Sequence, residues 1–502
     1  MDRRNFLVSS LLASVALSST GRAELRAQRQ RASPAALPST LPAALRDKLM
    51  HDPLRPQFHL LPKANWMNDP CAPRFYRGEY HVFFQYNPDA AVWGDMHWAH
   101  ATSPDLIHWQ HQPVALAPTP DSYDAFGCFT GSVLPGTETP SIVYTGVTKC
   151  KPAEETIRGE GLREVQCMAT AADAFLRSWT KLPAPVIAAP PAGVKVTGFR
   201  DPCPWKDGGT WYLIVGSGFN KVGGAVLLYR SSDGHAWEYL HPLAQGRWSG
   251  REMPNPVDSG EMWECPDFFP LGEKHVLLYS TERMVYWEVG TYDRRELLFH
   301  SETRGLLDHG NYYAMKSMLN EKGRRVLWGW VTESRPDAEL KEAGWAGCMA
   351  LPRVLTIGPD NTLRMQVPPE FATIQGAPGR LAIAQRAGVV ACSFKPGRGA
   401  GGLELRAGGS ALLSIQYDGA QPAIAIGNKT LALAPDKQGV STLELWVDGS
   451  VVELFVDRRE ALTTRCYTGA GDIDVAWTGE PAALSNLSVA AVRPISVDRL
   501  TS

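Results

Sequence analysis

YHVFFQY at residues 80–86, SIVYTG at 141–146, WYLIVGSG at 211–218, HVLLYS at 275–280 and RVLWGWV at 325–331 decide the fold. Each stretch is short, strongly apolar and rich in β-branched or aromatic residues, as expected of buried strands. Their centres are separated by 60, 70, 64 and 51 residues. A weaker echo follows the first three: Ser103-Pro104-Asp105 leads to Trp109, Ala172-Asp173 to Trp179, and Ser232-Asp233 to Trp237. Long helical periodicity is absent between residues 55 and 365. Five repeats of strand and turn predict an all-β fold, a five-bladed β-propeller with four strands per blade. The competing reading is an irregular all-β domain whose spacing is coincidental.

A chain of 502 residues exceeds what one hydrophobic core usually organises, so a second domain is expected. The repeat stops between residues 367 and 377, where Pro368-Pro369 and Gly376 interrupt it. Beyond, apolar and polar residues alternate over 403–405, 411–417, 442–447 and 451–456, with Asp448-Gly449 and Ala407-Gly408-Gly409 as turns. This predicts a β-sandwich of about 120 residues. The expected domains are the propeller at 51–367 and the C-terminal sandwich at 378–502. At the other end, Arg3-Arg4-Asn5-Phe6-Leu7 precedes an apolar run, 7–17, too short to span a bilayer. Paired arginines before Phe-Leu resemble a twin-arginine export signal, with Asp2 in place of the usual Ser or Thr. Residues 1–30 are therefore read as an export signal and 31–50 as a leader or linker. The mature protein is expected to be periplasmic or extracellular, with no membrane span.

Charge and cysteine content narrow the function. The net charge of −2 gives no electrostatic footprint for nucleic acid or an anionic membrane, so a neutral partner is favoured. Nine cysteines cannot all pair within one chain, and no spacing typical of a zinc site occurs. Most are expected as free, buried thiols. No metal and no organic cofactor is expected.

Three acids share a position relative to the repeats. Asp69 lies 11 residues before Tyr80, Asp201 lies 10 before Trp211, and Glu264 lies 11 before His275. Equivalent positions in successive blades would bring them to one mouth of the central channel. A proline adjoins each acid and stiffens its backbone. Acids near strand ends commonly bind turn amides, but three in register point to shared chemistry. Converging carboxylates suit glycosidic cleavage, in which one attacks the anomeric carbon and another donates a proton to the leaving oxygen. The donor needs a raised pKa, for which Met262 and Trp263 are expected to desolvate Glu264.

Trp66-Met67-Asn68-Asp69-Pro70, Phe199-Arg200-Asp201-Pro202 and Trp263-Glu264-Cys265-Pro266 resemble the three signature motifs of glycoside hydrolase family 32. The resemblance continues through Phe84-Gln85-Tyr86-Asn87-Pro88, Trp93-Gly94-Asp95, Phe129-Thr130-Gly131-Ser132, Gly344-Trp345, Pro352-Arg353 and the run from Val447 to Glu453. It implies a retaining hydrolase that removes terminal β-fructofuranosyl residues from sucrose or fructans through a covalent fructosyl-enzyme. In these roles Asp69 is the nucleophile, Glu264 the general acid/base and Asp201 a binder of fructosyl hydroxyls. It further implies substrate contacts from Trp66, Asn68, Gln85, Trp93, Phe129, Thr130, Arg200 and Trp330.

The chain departs from the family at Cys71-Ala72, where Asn-Gly is usual, and at Asp95, where many members carry Asn. Cys71, Cys203 and Cys265 all flank the motifs and are expected to lie close together. Three other readings share parts of the pattern: an inverting five-bladed hydrolase acting on arabinose or xylose chains, a fructosyltransferase, and a catalytically silent fructan-binding protein.

Overall fold

The computed structural model describes residues 41–469 and 471–499. The expected export signal and residues 31–40 lie outside the described residues.

Five antiparallel sheets follow one another along the chain. The first holds β1 (Asn65–Tyr76), β2 (Glu79–Asn87), β3 (His97–Ser103) and β4 (Gln110–Leu116). The second holds β5 (Gly127–Leu134), β6 (Ser141–Lys149), β7 (Leu162–Ala171) and β8 (Trp179–Lys181). In the third are β9 (Phe199–Asp207), β10 (Thr210–Phe219), β11 (Gly223–Ser231) and β12 (Glu238–Gln245). In the fourth are β13 (Glu264–Leu271), β14 (Lys274–Thr281), β15 (Met284–Asp293) and β16 (Leu298–Asp308). The fifth starts with β17 (Tyr312–Leu319) and β18 (Arg325–Val331). Short β19 (Trp345–Ala346) and β20 (Cys348–Met349) come next, then β21 (Arg353–Ile357) and β22 (Leu363–Gln366). β19 pairs in parallel with β1 and so clasps the last sheet to the first.

The five apolar stretches read from the sequence are β2, β6, β10, β14 and β18, the second strand of every sheet. The first strands, β1, β5, β9, β13 and β17, pack side by side, and β17 returns against β1. That closes a ring of five, and the fold is the expected five-bladed propeller. The weaker echo marks the outer hairpins. Asp105, Asp173 and Asp233 accept hydrogen bonds from backbone amides two to five residues ahead, where the third strand turns into the fourth.

Every innermost strand breaks register at the same height. Two residues oppose one between Met67 and Pro70, Cys128 and Gly131, Arg200 and Cys203, Glu264 and Asp267, and Tyr313 and Lys316. These are β-bulges, which re-aim side chains out of the pleat. Pro202 and Pro266 sit inside two of them, where the ladder has no use for their missing N–H. The first bulge residue adopts positive φ at Asp201 (66°), Cys265 (49°) and Ala314 (55°). Such backbone costs roughly 1 kcal/mol or more for a residue with a side chain, and it recurs here at one level of the ring.

Between Gln375–Pro378 and Leu484–Val492 the chain forms two six-stranded sheets packed as a sandwich. Leu403, Leu405, Ile415, Leu443, Leu445, Val452 and Leu454 alternate into its interior. A separate apolar cluster joins the domains, with Trp446 and Phe455 of the sandwich against Phe58, Tyr312 and Phe371.

The leader reading does not hold for residues 43–50. Ala43–His51 is a helix, α1, with Leu49 fully buried and Leu41 and Leu45 packed against the same core. Leu41, Leu45 and Leu49 recur every four residues, an apolar helical stripe that the Ala, Pro and Arg composition conceals.

A buried ionic cluster fixes the domains to each other. His59 lies between Asp448 (2.7 Å) and Glu453 (3.0 Å), and Arg353 binds Asp308 (2.7 Å) and Glu453 (2.9 Å). The Asp448 carboxylate also accepts the backbone N–H groups of Gln57, Phe58 and His59. Burial opposes charge on His59, but hydrogen bonds to Asp448 and Glu453 outweigh it and raise its pKa to about 9. The stability this lends is fully present below pH ~6.5 and is lost as pH rises through about 9, a ceiling of roughly 3 kcal/mol. Urea unfolding at pH 6 and pH 10 should show that decline in the wild type. In His59→Gln the decline should be much smaller, on a baseline lowered by about 3–5 kcal/mol.

Candidate active site

The bulges deliver the three acids to the floor of one cavity of about 570 Å³. Glu264 is the residue before its bulge, Asp201 the first residue of its bulge and Asp69 the second. The acids thus converge as expected but are staggered by one residue from blade to blade, rather than strictly equivalent. Trp66, Trp93, Phe129 and Trp330 form an apolar rim. Trp66 meets Trp330 edge-on with centroids 5.7 Å apart, and Trp93 meets Phe129 likewise at 5.9 Å.

Asp69 is held by neutral donors. Thr130 Oγ1 donates to its Oδ2 at 2.6 Å, Gln85 Nε2 reaches the same oxygen at 3.3 Å, and Asn68 Nδ2 donates to Oδ1 at 3.1 Å. These donors are themselves tied down. Trp66 Nε1 donates to Asn68 Oδ1 (2.8 Å), Asn68 Nδ2 to Gln85 Oε1 (3.0 Å), and Gln85 Nε2 to Thr130 Oγ1 (2.6 Å). The chain of hydrogen bonds orients one carboxylate.

Glu264 has different company. Its Oε1 accepts Arg200 Nη2 at 2.7 Å and Nε at 3.2 Å, while Oε2 accepts the Tyr313 hydroxyl at 2.6 Å. Arg200 is shared, for its Nη1 binds Glu164 at 2.5 Å. Met262 and Trp263 do not line the cavity; Trp263 stacks on Tyr279 of the same blade at 3.7 Å, and Met262 packs with Val147, Ile157 and Val257. The desolvation expected of them comes instead from the closed floor. Trp263, the residue before Glu264, turns instead into the packing between the third and fourth blades.

Asp201 accepts the Cys265 N–H at 2.8 Å and is 2% exposed. Its own N–H donates to Thr145 Oγ1. Burial raises its pKa to about 7, with Glu264 and Asp69 adding to the rise and Arg200 and Lys316 opposing it.

Asn68, Gln85, Trp66, Trp93, Phe129, Arg200 and Trp330 all line the cavity. Thr130 does not; it is fully buried behind Asp69. Asp95 is exposed and lies outside the lining. Tyr313, Glu164 and Thr145 were not singled out by sequence. The repeat offset of 10 or 11 residues misses Tyr313 by one, since it lies 12 residues before Arg325.

All nine cysteines are free. Cys265 Sγ lies 3.5 Å from Asp69 Oδ2 and 3.4 Å from Asp201 Oδ2. Burial pushes the Cys71, Cys203 and Cys265 thiols up, so they stay protonated donors. Among the described residues no group of His, Cys, Asp and Glu is arranged to hold a metal ion.

The family model described as glycosyl hydrolases family 32 N-terminal domain matches residues 59–368, and the corresponding C-terminal model matches 385–491. Sucrose-6-phosphate hydrolase of Escherichia coli is 38% identical over 319 residues, 60% of this chain and 62% of that protein. The chain thus spans about three fifths of that curated relative. A mutant β-fructofuranosidase of Bombyx mori, solved in complex with sucrose, is similar with a TM-score of 0.75 and 27% identity, covering 90% of this chain and 97% of that one. Fructan 1-exohydrolase IIa of Cichorium intybus, solved as a variant with 1-kestose, gives a TM-score of 0.74 and 27% identity over 88% and 98% of the two chains.

A buried carboxyl whose pKa is raised weakens the fold at higher pH. Asp201 loses its proton near pH 3.8 when unfolded but near 7 when folded, so stability falls as pH rises between those values, by at most ~4 kcal/mol. Asp201→Asn should therefore be more stable than wild type at pH 8 by a few kcal/mol. The gain, read by urea unfolding, should vanish near pH 4.

Proposed function

Because the chain belongs to glycoside hydrolase family 32, we propose that it is a retaining β-fructofuranosidase acting on sucrose and short fructans. The observation that carries the reading is the contrast between two carboxyls on one cavity floor. Asp69 is bound by neutral donors on both oxygens, and Glu264 by a shared guanidinium and a phenol. That contrast supports Asp69 as the nucleophile and Glu264 as the proton carrier.

In the first half-reaction the Asp69 carboxylate attacks the anomeric carbon of the fructosyl unit. Glu264 gives its proton to the leaving oxygen as that bond breaks. Arg200 then stabilises the Glu264 carboxylate, and Glu164 on its far side keeps the guanidinium in place. In the second half-reaction Glu264 takes a proton from the water that cleaves the fructosyl ester, which restores Asp69. Asp201, fixed by the Cys265 amide, holds fructosyl hydroxyls and orients the ring. The aromatic rim covers the apolar faces of the sugar, and the relatives solved with sucrose and with 1-kestose support ligands of that class.

We also infer export, on the strength of Arg3-Arg4 and the apolar run that follows. Among the described residues no helix is long and apolar enough to cross a membrane. Replacing both arginines with lysine should retain the precursor inside the cell, as fractionation would show.

Asp69→Asn should abolish fructose release from sucrose, inulin and levan. Glu264→Gln should lower kcat on sucrose by about 10²–10⁴-fold, with a smaller loss on a fructoside whose leaving group needs no proton. Nuclear magnetic resonance of the first-formed fructose should show the β anomer. An α product would rule out the retaining mechanism, and equal release by wild type and Asp69→Asn would mark a binding protein.

A further inference from the structure

Below the carboxylates the channel carries a charge that the proposed reaction does not use. One residue past the bulges the five inner strands present Pro70, Gly131, Cys203, Asp267 and Lys316. Lys316 is 1% exposed and does not line the cavity. Its ammonium donates to the Pro266 carbonyl at 2.7 Å, inside the bulge that follows Glu264. Asp267, on the adjacent strand, accepts the Ser317 amide at 2.8 Å and the Cys203 thiol at 3.5 Å.

An ammonium taken out of water costs several kcal/mol unless the surroundings compensate. Burial alone would push the Lys316 pKa down, yet the carboxylates Asp267 and Asp201 hold it above the ordinary lysine value. Glu264 on β13, and Asp69 and Cys71 on β1, share that field. Arg325 on β18 faces Asp267 and Cys203 from the other side. In the layer above, Arg200 binds Glu264 and Glu164, with Glu160 and Asp201 also in its field, and Asp69 stands in the field of Asp201. The Cys265 N–H that binds Asp201 and the Pro266 carbonyl that binds Lys316 belong to one bulge, which sets the buried ammonium against the main chain that holds Asp201.

We propose that Lys316 is a positioning residue, the buried counter-charge of the Asp201 carboxylate and the clamp on the main chain that carries Glu264. The proposal rests on the glycosidase reading for its catalytic consequence but not for its electrostatic one. Lys316 touches no substrate. It acts through Asp201, whose ionised form accepts hydrogen bonds from sugar hydroxyls, and through the Pro266 carbonyl beside Glu264.

The test compares Lys316→Met, Lys316→Arg and Asp267→Asn in the full-length protein. Infrared titration follows the protonated-carboxyl band of Asp201, assigned by its loss in Asp201→Asn, with no substrate present. The midpoint should rise by about one pH unit, a tenfold change in the proton equilibrium, in Lys316→Met. It should fall in Asp267→Asn and stay near wild type in Lys316→Arg. The acid limb of kcat/KM should move in the same directions. An unmoved midpoint in folded Lys316→Met would overturn the proposal, as would Met and Asn variants that shift it the same way. Should Lys316→Met not fold, Lys316→Gln takes its place and is read by the same criterion. If no fructoside is cleaved by the wild type, the activity reading fails while the infrared result still judges Lys316.

Discussion

Everything at the site depends on one backbone constraint, the break in register shared by all five inner strands. A regular strand would alternate its side chains between the two faces of a blade and send only every second one toward a neighbour. Two residues opposing one at a common level turn the side chains of that level into the channel mouth instead. Asp69, Asp201 and Glu264 arrive there from three separate blades, while the second and fifth blades bring Thr130 and Tyr313 to hold them. Positive φ at Asp201, Cys265 and Ala314 shows that the backbone carries strain at this level.

That strain and the crowding of like charges must be offset elsewhere, and the domain interface is where the structure does so. The apolar cluster around Trp446 and Phe455 and the buried His59, Arg353, Asp448 and Glu453 network bind the sandwich to the last blades. The parallel pairing of Trp345–Ala346 with β1 keeps the ring shut across the same region. Stability is concentrated away from the cavity, and the cavity floor spends part of it on a carboxyl that burial holds partly protonated near neutral pH.

The fold was legible because its repeating unit has a loud member. The second strand of each blade is apolar on both faces and only six to eight residues long as read from the sequence, so five copies stand out. The innermost strands were hidden, since bulges, prolines and acids break their pattern; they could be placed only by counting back from the loud strands. Counting located Asp69, Asp201 and Glu264 but stops one residue short of Tyr313. It could not see the one-residue stagger, because bulges do not announce their register in composition. Glu164, Thr145 and Lys316 stayed invisible for a different reason: each acts across a blade boundary on a partner far away in sequence. Helix α1 was misread because three leucines spaced by four were diluted among alanine, proline and arginine.

The central claim is that Asp69 becomes covalently fructosylated. It is tested most directly by trapping the intermediate in Glu264→Gln, where loss of the general base slows hydrolysis of the ester. A fructoside with a good leaving group would be supplied, the reaction quenched in acid, and the peptides weighed by mass spectrometry. The account predicts one fructosyl adduct on the peptide containing Asp69, absent from the double variant that also carries Asp69→Asn. An adduct on the Asp201 peptide, or turnover with no adduct and an inverted product, would contradict it.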